Sequence, residues 1–138
     1  MRLLLLLLPL GLFADVINLK CDYTSQFITE TSTVIPRDGN FIVSINNIDK
    51  TAILEGLRLG KYEENGSKIN FMKAGYTPQS VQFLYEYEID RVTGKAEEWL
   101  YTWGIDVDNV TLEERYNKKN YELDLVSSAM CSPEKPLF

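Results

Sequence analysis

Histidine is missing from all 138 residues of this sequence. Its absence excludes Ser-His-Asp and Cys-His nucleophile systems, zinc sites with histidine ligands and the commonest general base near neutral pH. The sequence also has no glycine-rich phosphate-binding loop and no dinucleotide-binding fingerprint. We therefore expect no metal and no cofactor, and we identify no catalytic residue. Carboxylate chemistry, as in glycoside hydrolysis, is what remains, and its candidates are Glu86, Glu88, Glu97 and Glu98.

The sequence also has no excess of positive charge. The net charge is −6, and loss of Arg2 with an N-terminal leader would lower it by one, to −7. An acidic surface repels phosphate backbones, and no basic cluster offsets this repulsion. We therefore expect neither nucleic-acid binding nor docking on anionic membranes.

Long apolar runs are confined to the N-terminus. Met1 and Arg2 are followed by a short leucine-rich run that ends at Ala14, the pattern of a secretory signal peptide. This run is too short for an ordinary transmembrane span. We predict a signal peptide over 1–14, a single β domain over 15–138, and export to the periplasm or the extracellular space without membrane attachment after cleavage. The alternative is an uncleaved leader that stays as an anchor.

Cysteine occurs only at Cys21 and Cys131. Two cysteines in an exported protein usually form one disulfide. This bridge would close almost the whole chain and would contribute about 4–5 kcal/mol by the loop-entropy estimate. It would also exclude thiol catalysis; the alternative is two free thiols.

Short alternating runs separated by turn residues predict an all-β fold. Asn65-Gly66 is the strongest turn pattern and predicts a two-residue type I′ hairpin, with Glu63 facing Lys68. A capping box from Thr111 to Glu114 predicts one short helix near 112–119. We expect a single-domain antiparallel meander of about eight strands, closed as a small barrel or sandwich. The predicted strands cover 15–23, 27–35, 41–45, 51–62, 68–74, 81–89, 95–104 and 121–126.

The clearest pattern is an aromatic hairpin over 80–104. Apolar and polar residues alternate along 81–89, and a three-residue loop, 92–94, would end in a glycine suited to positive φ. Counting outward from this loop pairs Tyr87 with Trp99, Tyr85 with Tyr101, and Phe83 with Trp103. A four-residue loop would instead pair Tyr85 with Leu100 and Tyr87 with Glu98, which breaks the aromatic pairing. We therefore prefer the three-residue loop.

The aromatic ladder has two interpretations, a ligand-binding surface or ordinary core. Its candidate ligand-binding residues are Phe83, Tyr85, Tyr87, Trp99, Tyr101 and Trp103. The same register sets Glu88 opposite Glu98. These carboxylates would form either an acid/base pair with separated pKa values or part of a solvated outer face.

Several features together resemble a group of small uncharacterised exported proteins from marine bacterial and phage genomes. They are the leucine-rich leader, the early Cys21, the hairpin segment Ile89-Asp90-Arg91-Val92-Thr93-Gly94 and the C-terminal stretch CSPEKPLF. The sequence departs from this group at Ala129-Met130, where a glycine is expected near the cysteine. The resemblance implies export and a β fold, and it assigns no functional residue.

Three functions fit these observations. The leading hypothesis is an exported, disulfide-closed binding protein that takes a small apolar ligand or a protein partner without catalysis. The alternative is a small carboxylate-based hydrolase acting on envelope glycans, and a third is a structural surface or virion component. A buried pair of acids in a cleft would favour the hydrolase, whereas acids spread over the outer faces would favour the binding protein.

Overall fold

Alternating apolar and polar residues form ten strands in the computed structural model, which describes residues 16–55, 57–76, 81–104 and 110–133. All neighbouring strands pair antiparallel. The predicted signal peptide lies outside the described residues. The strands are β1 (Val16–Ile28), β2 (Thr33–Pro36), β3 (Asn40–Asn46), β4 (Thr51–Leu54), β5 (Leu57–Lys61), β6 (Glu63–Asn65), β7 (Lys68–Tyr76), β8 (Val81–Asp90), β9 (Lys95–Gly104) and β10 (Glu122–Pro133).

The strands make one sheet that curls back on itself. Their order is β5-β4-β3-β1-β10-β9-β8-β7-β6, and β2 pairs with the far half of β1. β5 and β6 therefore lie at opposite ends of this order, although the chain between them is a single residue, Tyr62. The sheet must bend into a half-barrel for one residue to connect its two edges. The predicted all-β antiparallel class is confirmed, and the structure has ten strands where about eight were expected.

The concave face of this half-barrel holds the core. Ile69 and Val43 are fully buried, and the ring of Tyr87 lies between Phe41 and Phe71, with centroid distances of 5.3 and 5.2 Å. Because these side chains fill the concave space at one end, the half-barrel is a packed structure there and not an empty tube. The remaining buried core residues are Cys21, Ile45, Ala52, Leu54, Tyr62, Ile89, Ala96 and Ala129.

The predicted disulfide between Cys21 and Cys131 is confirmed. The two residues face each other directly across β1 and β10, with their Cα atoms 3.8 Å apart. Cys131 lies within a strand, because β10 continues to Pro133. The bridge therefore fastens the two central strands of the sheet.

Three strand predictions need correction. The expected strand over 51–62 folds back on itself as the β4–β5 hairpin, with Leu54 opposite Leu57. The expected strand over 27–35 is divided between the end of β1 and β2. The predicted hairpin at Asn65-Gly66 is present, but its register differs. Lys68 pairs with Asn65 and not with Glu63, and the two-residue loop is 66–67. Gly66, with φ +65°, is the only residue of this loop with positive φ, and a type I′ turn needs two such residues.

The preferred register of the aromatic hairpin is wrong, because its loop has four residues. The amide of Gly94 donates to the carbonyl of Asp90 at 2.8 Å, and the Asp90 carboxylate accepts from the amides of Val92 (2.9 Å) and Thr93 (3.3 Å). These bonds stabilise a longer loop that spacing alone did not favour. Tyr87 consequently pairs with Glu98 and Tyr85 with Leu100, the alternative that the sequence analysis rejected; likewise, Glu88 faces Glu97 and not Glu98.

Residues 111–121 contact the convex face of β8 and β9, where Lys118 binds Glu86 and the Tyr121 ring meets that of Trp103. The predicted capping box is confirmed: the Glu114 amide donates to Thr111 Oγ1 at 3.2 Å, and the Thr111 amide donates to Glu114 Oε1 at 2.9 Å. The helix is shorter than expected, since α1 (Leu112–Arg115) is followed by a 3-10 turn at Lys118–Asn120. No helix in the described ranges has the length and apolar character needed to cross a bilayer.

Candidate ligand site on the concave face

The six aromatic residues proposed for ligand binding are divided between the two faces of the sheet. Phe83, Tyr85 and Tyr87 face the concave side, where the rings of Phe83 and Tyr85 meet edge to face at 5.5 Å. The one-residue change of register turns the β9 aromatics to the convex side, where the ring of Trp103 contacts that of Tyr121 at 5.5 Å. A single six-residue surface is therefore not formed. The convex residues of the set are Trp99, Tyr101 and Trp103.

The four candidate carboxylates are divided in the same way. Glu98 is buried on the concave face, at 6 % exposure, and Glu86 is buried on the convex face, at 7 %. Glu88 and Glu97 face each other across the convex surface. The two buried acids therefore lie on opposite sides of the sheet and cannot act as a pair on one substrate.

Glu98 forms the centre of a concave hydrogen-bonded cluster. Its Oε2 accepts from the Tyr23 hydroxyl at 2.6 Å, and its Oε1 accepts from Arg37 Nη1 at 3.1 Å. The same Arg37 nitrogen donates to Ser127 Oγ at 2.5 Å, and the guanidinium lies 3.7 Å from the centroid of the Tyr23 ring. Arg37 therefore neutralises a carboxylate that would be costly to bury alone.

Local structure explains how Tyr23 and Arg37 reach Glu98. β1 has a bulge between Tyr23 and Ser25, where its pairing changes from β3 to β2. The turn that follows β2 is held against this bulge, because the Tyr23 amide donates to the Gly39 carbonyl at 3.0 Å. Bulges re-aim side chains. The turn held against this bulge places the guanidinium of Arg37 over the ring of Tyr23.

The tyrosines around Glu98 hold their protons tightly. Burial and the hydrogen bond to Glu98 raise the pKa of Tyr23 far above its ordinary value. Burial, followed by the negative charge of Glu98, likewise raises the pKa of Tyr87. Burial also raises the pKa of Tyr85. All three phenols are therefore neutral hydrogen-bond donors at any physiological pH.

A pocket of about 290 Å³ opens above this cluster. Its volume is just below the usual range for small-molecule sites, which begins at about 300 Å³. It lies at the end of β4 that is far from Tyr62, where the half-barrel is open. Besides Tyr23, Arg37, Tyr87 and Glu98, its walls are Asn40, Phe41, Leu54, Glu55, Lys73 and Tyr85.

A larger depression, of about 410 Å³, lies over Glu88 and Glu97. Its charged side chains are on the surface or half-buried, and Glu88 is already paired with Lys68 at 3.6 Å. No buried polar group is directed into it. The smaller concave pocket, with a buried carboxylate at its floor, is the better candidate for specific recognition.

The buried Glu86 on the convex face has a structural environment. It accepts from Asn70 Nδ2 at 2.8 Å, from the Tyr101 hydroxyl at 3.3 Å and from Lys118 Nζ at 3.1 Å. Burial and the neighbouring Glu86 charge raise the pKa of Tyr101 to about 12. The contact from Lys118 fastens the segment after β9 to the sheet.

Only part of the concave site was predicted from the sequence. Tyr85, Tyr87 and Glu98 were among its candidates, but Tyr23, Arg37, Glu55 and Lys73 were not. These four come from separate parts of the chain, and no local pattern marks them. Within the described ranges, no group of three or more acidic or cysteine side chains is arranged to hold a metal.

Comparison of the chain with protein families, with curated proteins and with solved structures finds no match. The resemblance to small exported proteins of marine bacteria and phages therefore stays a prediction. The function has to be inferred from the geometry of the site.

Proposed function

We propose that this protein binds a small ligand in the concave pocket and does not catalyse a reaction. The single observation that carries this proposal is the cluster of Glu98, Tyr23 and Arg37 at the pocket floor. Each of its members is already hydrogen-bonded, so the floor is rigid and pre-organised before any ligand arrives. Pre-organised polar groups beneath an open pocket are typical of binding sites.

The pocket walls suit a ligand with an apolar part. Phe41 and Leu54 are buried, at 3 % and 5 % exposure, so the accessible apolar surface comes mainly from the half-buried ring of Tyr85. This ring stacks on that of Tyr87, with a centroid distance of 6.1 Å. The expectation of a wholly apolar ligand inside a barrel is less well supported, because core side chains fill the deeper concave space. We propose a small ligand that combines an apolar portion with polar groups at the rim.

Native mass spectrometry of the purified protein tests this proposal. We expect an adduct that survives native conditions and disappears on denaturation. Tyr85→Ala removes a pocket wall and should reduce adduct occupancy, whereas Trp99→Ala, an aromatic truncation on the convex face, should not. Equal occupancy in both variants would place the ligand elsewhere, a bare monomer would oppose the proposal, and a large multimer would support the structural role.

We also propose that the protein is exported and that its signal peptide is removed. The confirmed disulfide supports an oxidising compartment. The intact mass of protein produced with its own leader should lack the first fourteen residues and two further hydrogens. A full-length mass with free thiols would contradict export.

A hydrolase acting on envelope glycans is the second candidate. Glu55 and Glu98 both line the concave pocket, so one site does contain two carboxylates. Glu98, however, is engaged by Arg37 and Tyr23, which leaves it poorly placed to exchange a proton with a substrate. Hydrolysis of envelope glycans that is abolished by Glu98→Gln would support this candidate over the binding protein.

A further inference from the structure

We infer that the ligand of the concave pocket is a zwitterion of the α-amino acid class, with its ammonium bound by Glu55 and its carboxylate bound by Lys73. This inference rests on the proposed binding function. It names the ligand class of the pocket. Its basis is the two charged side chains at the pocket, Glu55 and Lys73, that lie outside the Tyr23–Arg37–Glu98 cluster.

Four charged side chains line the pocket, two of each sign. Arg37 and Glu98 form an ion pair at 3.1 Å and so neutralise one another. Among the described residues, neither Glu55 nor Lys73 has a side-chain hydrogen bond or an ion pair within 4.0 Å. The site therefore presents one unpaired negative charge and one unpaired positive charge near the half-buried ring of Tyr85.

Glu55 is held at the pocket by an unusual backbone conformation. It has φ +48°, in the left-handed region where glycine, asparagine and aspartate are the usual residues. Its amide donates to the Ile42 carbonyl at 2.9 Å, which anchors the turn after β4 to β3. A glutamate kept in a conformation that disfavours it is consistent with a role for its side chain.

Lys73 is placed by the register of β7. It pairs with Tyr85 and lies two and four residues beyond the buried Phe71 and Ile69, so it belongs to the concave face. At Lys73 the concave face changes from packed core to the open pocket. Lys73 is half-buried at this boundary and lines the pocket, where a lysine can pack its apolar stem and keep its ammonium in water.

The balance of charge selects the ligand class. A simple anion would satisfy Lys73 and leave Glu55 unpaired, and a simple cation would do the reverse. A neutral ligand would desolvate both charges without compensating either, which is unfavourable. A zwitterion with an apolar side chain satisfies both charges and can pack that side chain on the half-buried ring of Tyr85.

Isothermal titration calorimetry with charge-blocked probes tests the inference. The probes are L-phenylalanine and L-leucine, each with its N-acetyl derivative and its carboxamide. We expect at least one free amino acid to bind and each blocked form to bind about tenfold more weakly, as for loss of one ion pair. In Lys73→Met the carboxamide penalty should disappear while the N-acetyl penalty stays, and Glu55→Gln should show the opposite pattern. Glu97→Gln and Lys95→Met, the same substitutions on the outer surface, should change neither penalty.

Equal affinity for the free and blocked probes would overturn the inference. Failure of every amino-acid probe to bind, together with a native adduct that Tyr85→Ala removes, would also overturn it while leaving the binding function intact. If neither a probe nor an adduct is found, the inference and the proposed function both fail.

Discussion

The hydroxyl of Tyr23 donates to the Glu98 carboxylate at 2.6 Å, although the two residues lie on strands that are not neighbours. Tyr23 is in β1, Glu98 is in β9, and β10 runs between them. The bond therefore spans the centre of the sheet on its concave side, beside the Cys21–Cys131 bridge that joins β1 to β10. It links the floor of the candidate site to the part of the fold that holds the two halves of the sheet together.

Replacing Tyr23 by phenylalanine should destabilise the protein. The substitution removes a hydrogen bond to a buried charged group, and such bonds contribute about 1.5–3 kcal/mol. The free energy of unfolding in urea measures the loss. Tyr76→Phe is the matched control because Tyr76 is 57 % exposed, and its effect should stay within about 0.5 kcal/mol. Similar values for the two variants would mean that the Tyr23 bond contributes nothing.

Stability should fall at alkaline pH. Burial raises the folded-state pKa of Tyr23 and Tyr87 above that of an unfolded tyrosine, which is about 10. Above pH 10 the unfolded state loses these protons while the folded state keeps them, so ionisation favours unfolding. The stabilisation is complete below pH 10 and declines steadily above it.

Melting temperatures between pH 8 and pH 12 measure this decline, and absorbance near 295 nm reports when tyrosinate forms. Tyr23→Phe should reduce the steepness of the decline, because one buried phenol has been removed. A melting temperature that does not change from pH 9 to pH 12 would contradict the assignment.

Gly94→Ala should cost more stability than Gly66→Ala. Both glycines have positive φ, +81° and +65°, so each alanine pays about 1–2 kcal/mol for the left-handed conformation. A Cβ at position 94 would also lie 2.6 Å from the Cys131 carbonyl oxygen, whereas one at position 66 would meet no atom within 4 Å. We expect a further loss of about 1–3 kcal/mol from this overlap. Denaturant unfolding compares the two variants, and equal losses would mean that the hairpin loop does not pack against β10.

The register of the aromatic hairpin can be tested through Glu97. It faces Glu88, and like charges that are directly opposite destabilise a sheet. Glu97→Lys should therefore gain about 0.2–1 kcal/mol relative to Glu122→Lys, an equal change of charge at a residue that faces Thr102. The gain should shrink at high salt. A three-residue loop would place Glu97 opposite Ile89, so absence of any gain would favour that register.

Local chemistry was enough to predict the fold class. Period-two alternation identifies strands wherever one face is buried and the other is solvated, as along β3, where Phe41, Val43 and Ile45 are buried. The capping box at Thr111 depends only on residues three apart in the chain. The pairing of the disulfide also followed, because two cysteines permit only one partner for each. Each of these features depends on neighbouring residues or on counting, so tertiary structure was not needed to find them.

The hairpin register could not be obtained in this way, because both faces of β8 are covered. Leu84 and Gln82 are fully buried on the convex face, and Ile89 and Tyr87 are buried on the concave face. A one-residue slip exchanges one buried face for another, so the apolar pattern no longer penalises it. The Asp90 carboxylate and the Cys131 amide, which donates to the Gly94 carbonyl at 2.7 Å, favour the longer loop instead.

The sequence by itself determined the all-β class, the disulfide and the helix cap, because these depend on local periodicity, residue spacing and cysteine number. Only the tertiary structure decided the strand order, the inner face of the hairpin and the pocket. The β1 bulge and the turn after β2 bring Tyr23 and Arg37 to Glu98. Glu55 and Lys73 come from opposite halves of the strand order and line one pocket because the sheet curls, with Tyr62 alone joining its two ends. That curvature results from contacts between residues far apart in the chain, which no local pattern records.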